Sequence, residues 1–295
     1  MKISIGILTF GRDDDFKETI NCLLDIKLDI ELVILNNNEL EGGVLDYLKN
    51  ILPDSIALNY AWDGVNYGVA SGRRKLIEIT KSDVMLLLDD DIYIENLDNK
   101  ICKIKDEFIE NSSLGGIAFN IKQFSNKINN KYEIPHKNKQ FRLDVEQDTY
   151  LMIGAGHAID IHKARLVDSY PNDFGLYGFE EVYLSFKLIA SGFDIKYLPC
   201  CIVYHKKSPD GRFSNKSVNY LAYRNRMMIA SRHLKKRYIL SCFIIRTLYF
   251  LYKNGRFDEV NDVIINSYRE YLYKRDKFNN DFYSKIKKVN GFLWY

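Results

Sequence analysis

Three aspartates in a row, Asp89-Asp90-Asp91, follow the apolar run Val84–Leu88. Like charges so close repel, and neither burial nor a helix start explains them at the end of a buried strand. On an extended segment alternate side chains share a face, so Asp89 and Asp91 can reach one hard divalent cation. Such a cation would bridge them to a diphosphate; the competing reading is a solvated acidic turn. A second acidic pair, Glu180-Glu181, opens a helix-patterned stretch. Negative charge at a helix N-terminus is one reason for it, and adjacent helical positions point apart, which assigns the two carboxylates separate roles. Thr9-Phe10-Gly11-Arg12 and Asn36-Asn37-Asn38 each close an apolar run and read as ligand contacts or as plain turns. Gly154-Ala155-Gly156-His157 offers close backbone approach beside an imidazole, or a bulged strand with a core histidine.

The elements that must position these groups alternate along the first hundred residues. Strand signals cover Ile3–Phe10, Glu31–Leu35, Ile56–Tyr60 and Val84–Leu88; helix signals cover Asp13 to about Leu28, Leu45–Ile51 and Ser71–Thr80. That alternation predicts a parallel sheet with helices on both faces, and ligands bind beyond the carboxyl ends of such strands. The polar clusters fall there. Further on, Gly115–Lys122 and Thr149–Ile161 read as strands around a polar excursion at 123–148. A helix is expected from about Glu180 to Ser191, closed by Gly192. Asp194–Leu198 and Ile202–His205 read as two more strands, and helical patterning follows the turn signal Ser208-Pro209-Asp210-Gly211.

Composition narrows the class. With 46% hydrophobic and 27% charged residues in 295, the chain is globular rather than disordered. No apolar stretch is long enough to span a bilayer. The N-terminus alternates like a strand and lacks a signal-peptide pattern, so a cytoplasmic start is expected. Five cysteines, odd in number and without Cys-x-x-Cys spacing, read as reduced thiols. The net charge of +3 hides an asymmetry: residues 206–295 hold 20 Lys/Arg against 7 Asp/Glu, which leaves the preceding part at −10. An acidic body with a basic tail suggests chemistry in the first and an anionic surface for the second.

Taken together, the motifs resemble family 2 glycosyltransferases of GT-A fold. The resemblance rests on Thr9-Phe10-Gly11-Arg12, Asn36-Asn37, the segment Asn66-Tyr67-Gly68-Val69-Ala70-Ser71-Gly72-Arg73, Asp89-x-Asp91, Gly178-Phe179-Glu180-Glu181-Val182-Tyr183-Leu184 and His205. It covers residues 1–210. It implies a Rossmann-like, nucleotide-binding mixed sheet flanked by helices, an α/β fold, with residues 1–100 as the donor half and 101–210 as the acceptor half. It also implies nucleotide contacts from Thr9, Phe10, Arg12, Asn36, Asn37, Asn66, Gly68, Arg73 and Asp90. Asp89, Asp91 and His205 would hold Mn²⁺ or Mg²⁺, and Glu181 would be the base that takes the acceptor's proton. Glu180, Gly156 and His157 would border the acceptor. Asn36 stands where an acidic residue is common, Arg74 where Asn is, and Tyr183 and Lys187 replace the usual Asp and Arg.

Residues 211–295 form the expected helical basic extension. Arg224, Arg226, Arg232, Lys235, Lys236 and Arg237 precede the aromatic-rich run Tyr238–Tyr252, which Arg246 interrupts. That pattern over 224–252 fits in-plane association with an anionic inner membrane leaflet, or a core helix. The resulting expectation is a peripheral, metal-dependent, inverting transferase that moves a sugar from a UDP- or dTDP-sugar to a lipid-linked bacterial surface glycan. The alternatives are a transferase acting on nucleic acid or protein, a sugar nucleotidyltransferase, and an inactive sugar-binding module.

Overall fold

The apolar alternation of the first strands decides which helices lie on each side of the sheet. The structure is a computed structural model that describes residues 1–208, 210 and 214–293. Strand β1 (Ile3–Thr9) leads into α1 (Asp13–Asn21), whose three opening aspartates suit the positive end of its dipole. The helix ends well short of Leu28, because turn bonds at Leu23 and Ile26 bring both side chains into the core that Phe16 and Ile20 already face. The chain continues through β2 (Ile30–Asn36), α2 (Val44–Ile51), β3 (Ile56–Ala61), α3 (Gly68–Ile79) and β4 (Val84–Leu88). Next come β5 (Ile92–Tyr93), α4 (Leu97–Glu110), β6 (Leu114–Gln123), β7 (Gln147–Thr149), β8 (Gly156–Asp160), α5 (Ile161–Leu166), α6 (Glu180–Ala190) and β9 (Asp194–His205). The two strands expected at 194–205 are one strand with a bulge, its pairing to β6 jumping from Leu198 to Ile202.

Among the described residues the sheet has the order β3-β2-β1-β4-β8-β6-β9-β5, with β7 on β9. The first four strands are parallel as expected, and β8 then runs antiparallel between β4 and β6, so the sheet is mixed. In-register pairing of Thr9 with Asn36 and of Ile7 with Leu88 brings the carboxyl ends of β1, β2 and β4 to one edge.

Period-two alternation sorts the core. Ile5, Ile7, Ile34 and Leu86 pack with α1 and α4 on one face, whereas Val33, Leu35, Met85 and Leu87 face the other way. The second face also receives α7 (Asn215–His233), α8 (Lys236–Asn254), α9 (Phe257–Tyr273) and α10 (Asn280–Lys288), through side chains such as Met227, Phe250, Val263 and Phe282. The C-terminal half of α7 is therefore core, and Arg224 and Arg232 bind Asp173. Of the segment 224–252, only α8 keeps a solvent face. Pro209 and Gly211 of the expected turn lie outside the described residues.

Candidate active site

The aspartate triplet is split as an extended chain requires. Asp89, Asp91 and His205 bring one potential ligand atom each to within 4.8 Å of one another. The register that pairs Ile92 of β5 with His205 of β9 sets the imidazole beside Asp91, with Nε2 3.2 Å from Oδ1. Backbone N–H groups of Lys206 and Ser208 donate to the Asp91 carbonyl and Oδ2, both at 2.9 Å. Burial pushes Asp91 up, but the hydrogen bond and charge of His205 together with Arg12 hold it down, at about 2. Burial likewise depresses His205, yet Asp91 and Glu133 keep it at about 9. Glu133 accepts from His205 Nδ1 and is the orienting carboxylate that metal-binding histidines commonly carry. Two carboxylates and an imidazole this close fit Mg²⁺ or Mn²⁺ by donor chemistry.

Asp90 turns the other way. Its Oδ1 accepts from Arg12 at 2.8 Å and its Oδ2 from the Phe10 N–H at 3.1 Å, and burial pushes it up to about 6. It thus shapes the loop after β1.

Arg73, 4% exposed, joins the two acidic motifs. One terminal nitrogen donates to Glu181 Oε1 at 2.7 Å and Glu180 Oε1 at 3.3 Å; the other donates to Asp89 Oδ1 at 2.8 Å and to the Gly154 carbonyl at 3.0 Å. The expectation that Glu180 and Glu181 point apart fails here. Both lie in the first turn of α6, which Phe179 enters at φ 71°, and both carboxylates reach the same guanidinium. Burial and its charged neighbour push Glu180 up, whereas Arg73 holds Glu181 down against burial. Glu181 keeps 15% side-chain exposure and Glu180 only 3%, so Glu181 is the one a substrate can approach. Gly154 makes the room: a Cβ there would stand 2.1 Å from Glu181 Oε1. Arg74 points away, to Asp168 and Glu78.

The asparagine run is turned inward. Asn36 donates to the Glu41 carbonyl and the Tyr60 hydroxyl and accepts from Asn38, while Asn37 donates to the Gly68 carbonyl and its N–H to the carbonyl of buried Thr9. These side chains are engaged by protein. Asn36 holds Asn38, which accepts from the Gly11 N–H at 2.8 Å, and Gly11, Arg12 and Asn38 line an open cleft of about 580 Å³ with Asp13–Asp15 and Glu39–Gly42. Asn66 caps the turn into α3 by accepting from the Gly68 N–H at 2.9 Å. Gly68 has φ +68° and packs where a Cβ would meet Leu176 Cα at 2.6 Å.

His157 and Gly156 are packed into the interior of the sheet. His157 is fully buried, with Nδ1 on the Ile153 carbonyl at 2.9 Å and Nε2 on the Tyr170 hydroxyl at 2.6 Å, and burial with nearby Arg73 pushes it down to about 3. Gly156 lies between Phe119 and Val203, where a side chain has no space. Tyr183 packs against Phe174 and His233, and Lys187 pairs with Asp276, both away from Glu181. Glu133 was missed: it sits in the polar excursion, 72 positions from His205, and no local pattern marks it.

This arrangement has counterparts. The family model described as glycosyl transferase family 2 matches residues 4–164, more than half of the chain. The chain belongs to that family. It is a glycosyltransferase, which removes the nucleotidyltransferase and inactive-module alternatives. It is also 40% identical over 163 residues to an uncharacterised protein of Haemophilus influenzae, covering 53% of this chain and 86% of that one. Among solved structures, it resembles S. aureus TarS 1-349 in complex with UDP-GlcNAc (TM-score 0.62, 14% identity, 92% of this chain and 82% of that one). It resembles GalNAc-T7 with UDP, GalNAc and Mn²⁺ as well (TM-score 0.65, 13% identity, 98% of this chain and 56% of that one). At these identities the two structures establish the GT-A fold.

Proposed function

We propose that this glycosyltransferase moves a sugar from a nucleotide diphosphate donor to a glycan hydroxyl, with inversion and with a divalent cation held by Asp89, Asp91 and His205. The observation that carries the reading is the shared guanidinium: Arg73 ties Asp89 of the metal group to Glu181 within one network. When bound, the cation supplies Lewis-acid stabilisation of the leaving diphosphate. Glu181, kept ionised by Arg73, takes the proton of the acceptor hydroxyl as its oxygen attacks the anomeric carbon. The bond from that carbon to the diphosphate breaks, and its electron pair leaves with the nucleotide. Arg73 is a positioning residue here. Gly11, Arg12 and Asn38, on the cleft wall, are our candidates for contact with the nucleotide, a UDP or dTDP derivative. The bound UDP-GlcNAc and UDP of the two structural relatives support a donor of this kind.

For the acceptor we propose a lipid-linked bacterial surface glycan, with the enzyme held at the inner membrane face. No helix among the described residues is long and apolar enough to cross a membrane. In-plane contact is supported by α8, which contains no Asp or Glu and exposes Leu240, Ile244 and Leu248. Thermal unfolding with UDP, dTDP, GDP or CDP, each with and without Mn²⁺, tests the donor site. One diphosphate should raise the melting temperature only with metal, and Asp91→Ala should abolish the shift. A metal-independent shift that persists in Asp91→Ala would remove the assigned metal site.

A further inference from the structure

The outer face of α8 ends at a pocket for which the proposed transfer has no use. Between α8 and α10 lies an open cavity of about 580 Å³ whose walls include Lys235, Arg237, Tyr238, Tyr283 and Lys287 and, among the described residues, no Asp or Glu. Neutral groups hold two of these cations. Lys235 Nζ donates to Asn280 Oδ1 at 2.9 Å and stands 4.1 Å from the Tyr283 ring centroid. Arg237 donates to the Tyr238 hydroxyl at 3.0 Å, its guanidinium 4.7 Å from that ring's centroid. The two rings stack on each other, 5.7 Å apart and inclined by 7°. Cation–π contact and a neutral acceptor fix where a cation sits without neutralising it. Two neighbouring cations are answered differently: Arg232 has Asp173 and Glu270, and Lys285, two residues from Lys287, has Asp194.

Beyond Arg237 the same helix exposes Leu240, Ile244, Leu248 and Tyr252 at four-residue spacing, between 50% and 83% accessible. That spacing makes one continuous stripe along the helix, and exposed apolar surface of this kind marks an interaction site. A second copy of this chain would cover the stripe, but α8 packed on α8 would set cations against cations, because the helix has no acidic residue. A ligand with an anionic head and a hydrocarbon body matches both halves.

We propose that the α8–α10 pocket binds the phosphate headgroup of an anionic membrane lipid, with the apolar stripe of α8 lying against the hydrocarbon boundary. This rests on the membrane part of the proposed function and gives it a headgroup site. The test uses the full chain and two double variants of exposed residues, Arg237→Ala with Lys287→Ala and Ile244→Ser with Leu248→Ser, each first shown to keep the wild-type melting temperature. Vesicles of phosphatidylcholine, alone or with phosphatidylglycerol, are the lipid probes, and inorganic phosphate is the soluble one. Wild type should bind phosphatidylglycerol vesicles at least tenfold more tightly than neutral ones. The Arg237/Lys287 variant should lose that preference. The Ile244/Leu248 variant should lose vesicle binding yet keep a melting shift with phosphate.

Equal binding to both vesicles, or a preference surviving in the Arg237/Lys287 variant, overturns the proposal. Phosphate binding without vesicle binding overturns it in favour of a free-anion site, and self-association relieved in the Ile244/Leu248 variant does so in favour of a dimer. Stabilisation by UDP with Mn²⁺ is the independent control. Its absence in wild type would count against the donor reading and leave the vesicle result standing.

Discussion

At the carboxyl edge of β1, β2 and β4, carboxylates crowd together and arginines answer them: Arg73 meets Asp89, Glu180 and Glu181, and Arg12 meets Asp90 and Asp91. On α8 and α10 the imbalance has the opposite sign, and Lys235, Arg237 and Lys287 meet no Asp or Glu among the described residues of their pocket. The first arrangement is buried, and low dielectric makes each unanswered charge expensive, so the fold itself must supply the counter-charge. The second is exposed, where water screens the cations and their charge stays available to an external partner. Internal compensation thus marks a prebuilt site, and its absence marks a surface that waits for something.

The sharpest break of this contrast is Arg73→Ala. It leaves three carboxylates without their shared cation and should lower stability by about 3–5 kcal/mol, read by denaturant unfolding, whereas Arg237→Ala should stay within about 0.5 kcal/mol. Equal effects would void the distinction. The histidines extend it. His157 and His233 are buried neutral, pushed down to about 3 and about 4 chiefly by burial. The unfolded chain protonates both below about pH 6.5, so stability is whole above that value and falls as pH drops toward the folded values, by about 3 kcal/mol for the pair at pH 5.5. Melting temperature against pH checks the sign, and replacing His233 by Gln should flatten part of the slope. A smaller effect is expected from Glu133→Gln. Mn²⁺ affinity should weaken about 10–100-fold in a calorimetric titration, with the fold intact. The smallest belongs to Leu248→Ser, which should leave both melting temperature and donor binding unchanged.

Much of the catalytic edge was legible because its residues violate local expectation. Three aspartates after a strand with no polar residue have few structural reasons to exist, and the extended geometry that separates Asp89 and Asp91 from Asp90 follows from period two alone. The family resemblance added His205, Arg73 and Glu181. What stayed hidden depends on contacts across the chain. Nothing near Glu133 announces His205, and nothing near Asn36 announces Tyr60, which takes its amide. The Glu180–Glu181 geometry was misjudged because the rule for adjacent helical positions fits a helix interior, whereas these two occupy a first turn entered from the left-handed Phe179. Helix α4 went unread, although Leu97, Ile101, Ile104 and Phe108 have helical spacing and all four are buried. The split of 224–252 into a buried end of α7 and a half-exposed α8 was not legible, because both halves are basic and only packing tells them apart.

The most direct test of the central claim is Glu181→Gln, compared with wild type for donor binding and for sugar transfer to water or to an acceptor glycan. Donor affinity in the presence of Mn²⁺ should stay within about twofold, while kcat should fall about 10²–10⁴-fold, the range a general base supplies. Transfer at the wild-type rate would contradict the assignment of Glu181 as the base.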